Sequence, residues 1–183
     1  MSDSVSDVHW QYRGRAYVLG HDIPHDNAMM PFEFVITRVM DPKLLIPHLF
    51  EGIRPGLGEK LRKGDVIVGG RNFSKGKSHI QAYIALRELG VGVLCESMPY
   101  NTYRQLIGRG IPFLSGCVGI ADETDDGDEV DVDLLTGAFH NLTRGTERQF
   151  KPVDATIARY IELGGMMGAL REWVARSRQG VKA

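Results

Sequence analysis

The chain has 183 residues, 22 basic and 23 acidic side chains, and a net charge of −1. That length suits one domain with a real core, since roughly 70% of the unfolded surface is buried at this size. A hydrophobic fraction of 43% with 25% charged residues excludes wholesale disorder, and a charge near zero argues against a dedicated nucleic-acid binder.

Residues 1–8 read as a flexible arm and 9–183 as a single domain. The acidic, polar N-terminus lacks the basic and apolar regions of a secretory signal, and no run of about 18 apolar residues could span a membrane. A cytoplasmic protein is therefore expected. Gly14 to Leu19 has strand character, and His21 to Asn27 is a turn-forming loop. Asp41 caps a short helix from Pro42 to Leu49, and Gly52 to Gly58 is a loop. Asp65 to Val68 is a buried strand, Gly69 to Ser78 a glycine-punctuated loop, and His79 to Leu89 a helix stopped by Gly90. Val91 to Cys95 is a second buried strand, Tyr100 to Ile107 a helix, and Ile111 to Leu114 a third strand. This alternation implies parallel pairing. Cys95 and Cys117 lie in apolar surroundings, which predicts reduced, buried thiols.

After Cys117 the pattern changes. Asp122 to Asp133 holds eight acids and no Lys or Arg; without it, 22 basic residues stand against 15 acidic ones, a charge of +7. The acidic stretch reads as a solvated edge or a face for a partner. Val130 to Leu134 alternates as a half-exposed strand, and Phe139 to Leu142 returns as a hairpin. Asp154 caps a closing helical region through Arg178, interrupted at Gly164-Gly165, with Leu170, Trp173 and Val174 as its core stripe.

The strongest local signal is the loop from Gly69 to Ser78. Its glycines let backbone approach a ligand, and the helix that follows offers unpaired N–H groups. Arg71, Lys75, Lys77, Ser74 and Ser78 add donors, so the loop suits an anion, phosphate or carboxylate. A P-loop is rejected, because position 71, where its first glycine belongs, is Arg71. The plain alternative is a basic strand–helix turn with no ligand.

The run Gly64-Asp65-Val66-Ile67-Val68-Gly69-Gly70-Arg71-Asn72-Phe73 resembles the 3-isopropylmalate dehydratase small subunit, the swivelling domain of the aconitase superfamily. The likeness extends from Gly14 through Cys95-Glu96-Ser97, Gly110-Ile111-Pro112 and Asp131 to Gly137, and ends at Glu162 to Gly165. It implies an α/β fold, a three-layer β/β/α swivelling domain. It also implies a hydro-lyase that interconverts a hydroxy di- or tricarboxylate and its unsaturated partner. A large partner subunit is implied to hold a 4Fe-4S iron–sulfur cluster, with no cofactor in this chain. No membrane or nucleic-acid partner is expected, and the isolated chain is free to self-associate.

The departures fall at the reacting residues. The family's Gly-Ser-Ser-Arg aligns with Gly76-Lys77-Ser78-His79. The first family serine is the base and the arginine grips substrate carboxylate; here Lys77 and His79 stand there, and Ser78 alone is retained. The resemblance therefore assigns catalysis to Lys77 and Ser78, and substrate binding to Arg71, Asn72, Ser74, Lys75, His79, His25 and Asp26. Lys77 can serve as base if a neighbouring cation such as Lys75, or burial, lowers its pKa from about 10.4 toward 7–8. The competing reading is a carboxylate-binding or regulatory homologue without the usual chemistry. His21, Asp22, His25 and Asp26 have metal-ligand chemistry, but Pro24 breaks the helix that would align them, and a substrate-facing loop is preferred. Met29, Met30, Phe32 and Phe34 are either core or the wall of an apolar pocket. Arg104 is either a solvated helix residue or a stand-in for the family's arginine near Tyr100.

Overall fold

The computed structural model describes residues 8–180. The expected arm lies outside the described residues except for Val8, which packs against the core. Seven strands form one sheet in the order β4-β3-β2-β1-β5-β6-β7. β1 (Gln11–Gly20), β2 (Val66–Gly69), β3 (Gly92–Cys95) and β4 (Leu114–Ser115) are parallel. β5 (Glu129–Asp133), β6 (Ala138–Asn141) and β7 (Thr146–Gln149) join on the antiparallel side. The strand–helix–strand alternation thus produced the parallel pairing expected of it.

β1 serves both halves. Its residues Gln11 to Arg15 pair with β5, and Ala16 to Gly20 pair with β2. A strand that changes partner halfway lets the sheet curl over itself, and the core records this. Val66, Val68 and Leu94 of the parallel strands share one apolar cluster with Val130, Val132 and Phe139 of the antiparallel ones. Ile67, Val93 and Cys95, one residue out of phase, belong to the other cluster with the helices. The two-residue period of a strand therefore sorts side chains into two cores, and the layers run β/β/α.

The helical layer is built mainly from α4 (Ile80–Leu89) and α5 (Tyr100–Gly108). Gly90 ends α4 with φ 63°, as its C-terminal glycine signal predicts. α2 (Pro42–Leu45) runs into a 3-10 turn at Ile46–His48, and the Asp41 carboxylate accepts the Lys43 N–H at 2.9 Å. Single-turn helices α1 (Glu33–Ile36), α3 (Leu57–Lys60) and α6 (Ile120–Glu123) are too short to show a period and were not anticipated. Nor was β7, which is polar throughout and lies at the sheet edge.

The structure corrects two expectations. The strand placed at Ile111 to Leu114 pairs only from Leu114 to Ser115. Pro112 has no N–H for a ladder, so pairing starts beyond it. The closing region divides, as expected at Gly164-Gly165, into α7 (Ala155–Glu162) and α8 (Met166–Gly180). Its supposed core stripe is outside: Leu170 is 50% and Trp173 65% exposed. α8 touches α5 and α7 but leaves these side chains in solvent, and a helical period cannot say whether an apolar face meets a core.

Among the described residues no helix is long and apolar enough to cross a membrane. Cys95 and Cys117 are free and buried, one in each core. Burial pushes both thiols up, Cys117 to about 12. Protonated thiols in apolar cores do not fit the ligand set of an iron–sulfur cluster.

Candidate active site

The loop between β2 and α4 does not stand alone. Asp22 N–H donates to the Arg71 carbonyl at 2.7 Å, Lys75 N–H to Ile23 at 2.7 Å, and His25 N–H to Lys75 at 2.8 Å. Pro24 and Lys75 form a parallel bridge. The loops that follow β1 and β2 therefore continue the strand pairing beyond the sheet and form one unit. Ser97, after β3, closes it from the other side: its carbonyl accepts Phe73 N–H at 2.9 Å and its hydroxyl accepts Asn72 N–H at 3.0 Å.

Beneath this unit runs a buried chain of hydrogen bonds whose directions can be deduced. Thr102 Oγ1 donates to the Ser74 carbonyl at 2.8 Å, so it accepts from the Ser78 hydroxyl at 3.1 Å. Ser78 accepts from the Tyr83 hydroxyl at 3.1 Å. Tyr83 then accepts from Ser74 at 3.1 Å, and Ser74 from His25 Nδ1–H at 2.9 Å. His25 Nε2 remains an acceptor and takes the His79 N–H at 2.9 Å. Each hydroxyl uses its one proton once. Burial holds the His25 pKa down at about 4, so the ring is neutral, as its acceptor nitrogen requires.

These bonds fix the places of several expected site residues. Ser74 and His25 are buried and support the loop from below; neither reaches outward. Ser74 holds φ 61°, a left-handed conformation costing about 1–2 kcal/mol. Its hydroxyl bonds offset that cost, each contributing about 1 kcal/mol. His79 Nε2 lies 3.4 Å from the Asp26 carboxylate, and its ring meets Phe32 edge-on at 5.4 Å. Met29 and Met30 are core, while Phe34 lies beside His48.

The outward-facing charges divide into two sets. Arg71 lies 3.7 Å from Glu96, Asn72 donates to Asp22 at 2.9 Å, and Lys75 Nζ lies 3.5 Å from the same Asp22 oxygen. The Asn72 amide and the Lys75 charge hold the Asp22 carboxyl below the usual carboxylate range. Arg71, Asn72 and Lys75 are thus already partnered within the loop unit. Lys77 and Ser78 instead open onto a groove of about 580 Å³ between α5 and the start of α8. Arg104 and Arg109 share it, with Met166, Met167 and Tyr160 on its other wall. The loop therefore brings Lys77 and Ser78 to a ligand-sized surface and keeps the other candidates away from it.

His21, Glu96 and Asp122 place one ligand atom each within 4.8 Å of one another. They do not fit a metal. His21 Nδ1 accepts the Arg71 N–H at 2.9 Å, so the proton of the neutral ring is on Nε2, the nitrogen facing Asp122 at 3.9 Å. Metal-bound imidazole has the opposite arrangement.

Tyr83, Thr102 and Arg109 had no sequence signal as site residues. Tyr83 sits in an ordinary apolar helical stripe, Thr102 is one hydroxyl among many, and Arg109 reads as a basic residue at a helix end. Tyr83 and Thr102 join the site because α4 and α5 each place a hydroxyl 3.1 Å from Ser78, and Arg109 because the end of α5 lines the groove.

No protein-family model matches the chain. It is 37% identical over 169 residues to 3-isopropylmalate dehydratase small subunit 1 of Methanopyrus kandleri, covering 92% of this chain and 97% of the relative. It is 38% identical over 156 residues to the methanogen homoaconitase small subunit of Methanothermobacter thermautotrophicus, covering 85% and 88%. Among solved structures it is similar to a 3-isopropylmalate dehydratase of Methanocaldococcus jannaschii. That likeness has a TM-score of 0.81 and 28% identity, covering 94% of this chain and 99% of that one.

Proposed function

The chain belongs to the 3-isopropylmalate dehydratase small-subunit family and is the small subunit of an aconitase-type hydro-lyase; from that premise we propose that Lys77 is its base. The substrate is a hydroxy di- or tricarboxylate, and a large subunit completes the site. The observation that carries this reading is the position of Lys77 and Ser78. They are the loop residues that line the groove, whereas Arg71 is paired with Glu96, and Asn72 and Lys75 with Asp22.

In the dehydrating direction the Lys77 amine takes the proton on the carbon beside a carboxylate. The electron pair of that C–H bond becomes the double bond and the C–O bond breaks, the hydroxyl leaving with its electron pair. That hydroxide and the proton held by Lys77 together make up the water lost, and hydration reverses each movement. Ser78 is held by Tyr83 and Thr102 and fixes the backbone on which Lys77 stands. A 4Fe-4S cluster on the large subunit would supply Lewis-acid chemistry at the substrate hydroxyl. The relatives are named for isopropylmalate and for homoaconitase at nearly equal identity, so the substrate is to be found by assay.

The test is turnover by the purified pair against a panel of hydroxy acids and their unsaturated partners. Lys77→Ala and Lys77→Arg should each lower kcat by about 10²–10⁴-fold, the usual contribution of a general base. Unchanged turnover in Lys77→Ala refutes the assignment. A wild-type pair that binds carboxylates and turns over none supports the non-catalytic reading instead.

A further inference from the structure

Several arginines of this chain are matched to carboxylates across the fold. Arg54 meets Asp126, Arg144 meets Asp125 and Asp128, Arg148 meets Glu123, and Arg159 and Arg176 share Glu172. Against that background the groove between α5 and α8 stands apart. Lys77, Arg104 and Arg109 all line it, and no carboxylate of the described residues pairs with any of them. Arg104 lies over the Tyr100 ring at 5.5 Å. Arg109 is half-buried, with Gln105 Oε1 accepting its Nε–H at 3.2 Å, and burial lowers its pKa. Three cations facing one concave surface repel one another unless an anion lies between them. The opposite wall, Tyr160, Met166 and Met167, is apolar and exposed.

We propose that Arg109 and Arg104 bind the carboxylate of the substrate that lies away from the reacting carbon, and that Met166 and Met167 receive its alkyl substituent. This rests on the hydro-lyase reading and goes beyond it, naming Arg109, for which the sequence has no motif, and giving Arg104 a ligand. The ligand class is a dicarboxylate with an apolar branch. Arg109 is preorganised, because Gln105 fixes its Nε and leaves both terminal nitrogens for a bidentate contact.

The test uses 2-isopropylsuccinate, a branched dicarboxylate with no hydroxyl to lose. It is titrated into the full chain at fixed ionic strength and followed by NMR of the arginine side chains and by calorimetry. Binding is expected to shift the Arg104 and Arg109 resonances and to be weakened at least 10-fold in Arg109→Gln, with partial recovery in Arg109→Lys. Lys43→Gln, outside the groove, should bind as the parent does. Gly108→Leu is the variant that keeps the fold: a Cβ there meets nothing within 4 Å, so the side chain projects into open space along the groove and should block the ligand. Wild-type affinity in Arg109→Gln and Gly108→Leu, or shifts confined to Arg71 of the loop, would overturn the proposal. Assays of the reconstituted pair separate the two readings. Turnover with an unchanged KM in Arg109→Gln refutes the arginine grip alone. Binding in the groove by a pair with no turnover refutes the hydro-lyase chemistry alone.

Discussion

His25 shows how one side chain can tie the site to the stability of the fold. Its ordinary pKa is 6.5, and in the folded chain it is about 4. Between those values the unfolded chain takes up a proton that the folded chain refuses. Stability from this residue is therefore complete above pH 6.5 and lost as pH falls toward 4, on the order of 3 kcal/mol in all. Denaturant unfolding across that window should show the slope, and His25→Gln should remove most of it. The depressed carboxylates Asp126 and Asp133 act lower, as pH falls through and below the usual 3.8. A slope unchanged in His25→Gln would mean that other groups set it. The family resemblance marked His25 as substrate-facing, because the matching loop is implied to reach the active site. Burial reversed that role, and burial is a property of three-dimensional neighbours.

The elements meet where glycines permit it, and the groove depends on one such meeting. Gly110 and Gly165 hold φ 67° and 78°. A Cβ on Gly165 would come 2.2 Å from the Gly108 carbonyl oxygen, and one on Gly110 would come 2.8 Å from the Gly164 carbonyl carbon. The end of α5 and the junction of α7 with α8 are therefore in backbone contact, and that contact sets the two walls of the groove. Gly165→Ala adds a left-handed strain of about 1–2 kcal/mol to a backbone clash. It should lower stability by at least about 2 kcal/mol in thermal or denaturant unfolding, and weaken dicarboxylate binding even where the chain remains folded. Gly164-Gly165 was legible as a break in a helix. Its partner, Gly108 to Gly110, was legible only as a helix end; that the two meet is written in no local pattern.

At the scale of the whole molecule, β1 joins the two halves of the sheet and the core between them depends on large side chains from both. Phe139 is buried against Phe150, ring centroids 6.2 Å apart, in the cluster that also holds Val66 and Val68. Phe139→Ala should cost about 3–5 kcal/mol, as such truncations do in well-packed cores, with a matching fall in the denaturant midpoint. A cost below about 1 kcal/mol would show that the two layers are not packed as described. The charge distribution also resolves at this scale. The acidic stretch from Asp122 to Asp133 was expected as a solvated edge or a partner face. In the fold, much of it is an internal counter-charge: Glu123, Asp125, Asp126 and Asp128 meet Arg148, Arg144 and Arg54, all distant in sequence. The cations around Lys77 are not among those so paired.

The sequence by itself determined the family, the β/β/α class, the parallel strand–helix alternation and the loop that bears Lys77 and Ser78. The alternation and the loop are carried by residues close along the chain, where periodicity, caps and glycine spacing act directly; the family and the β/β/α class come from the resemblance of the Gly64 to Phe73 run. Only the tertiary structure decided which charged residues of that loop are free to meet a ligand. Asp22 and Glu96 occupy three of the expected binding residues, and α5 with the residue that ends it brings two arginines to the groove lined by the expected catalytic residue, Lys77. Charge pairing and burial are set by contacts between segments far apart in the chain, and local sequence does not record which segments those will be.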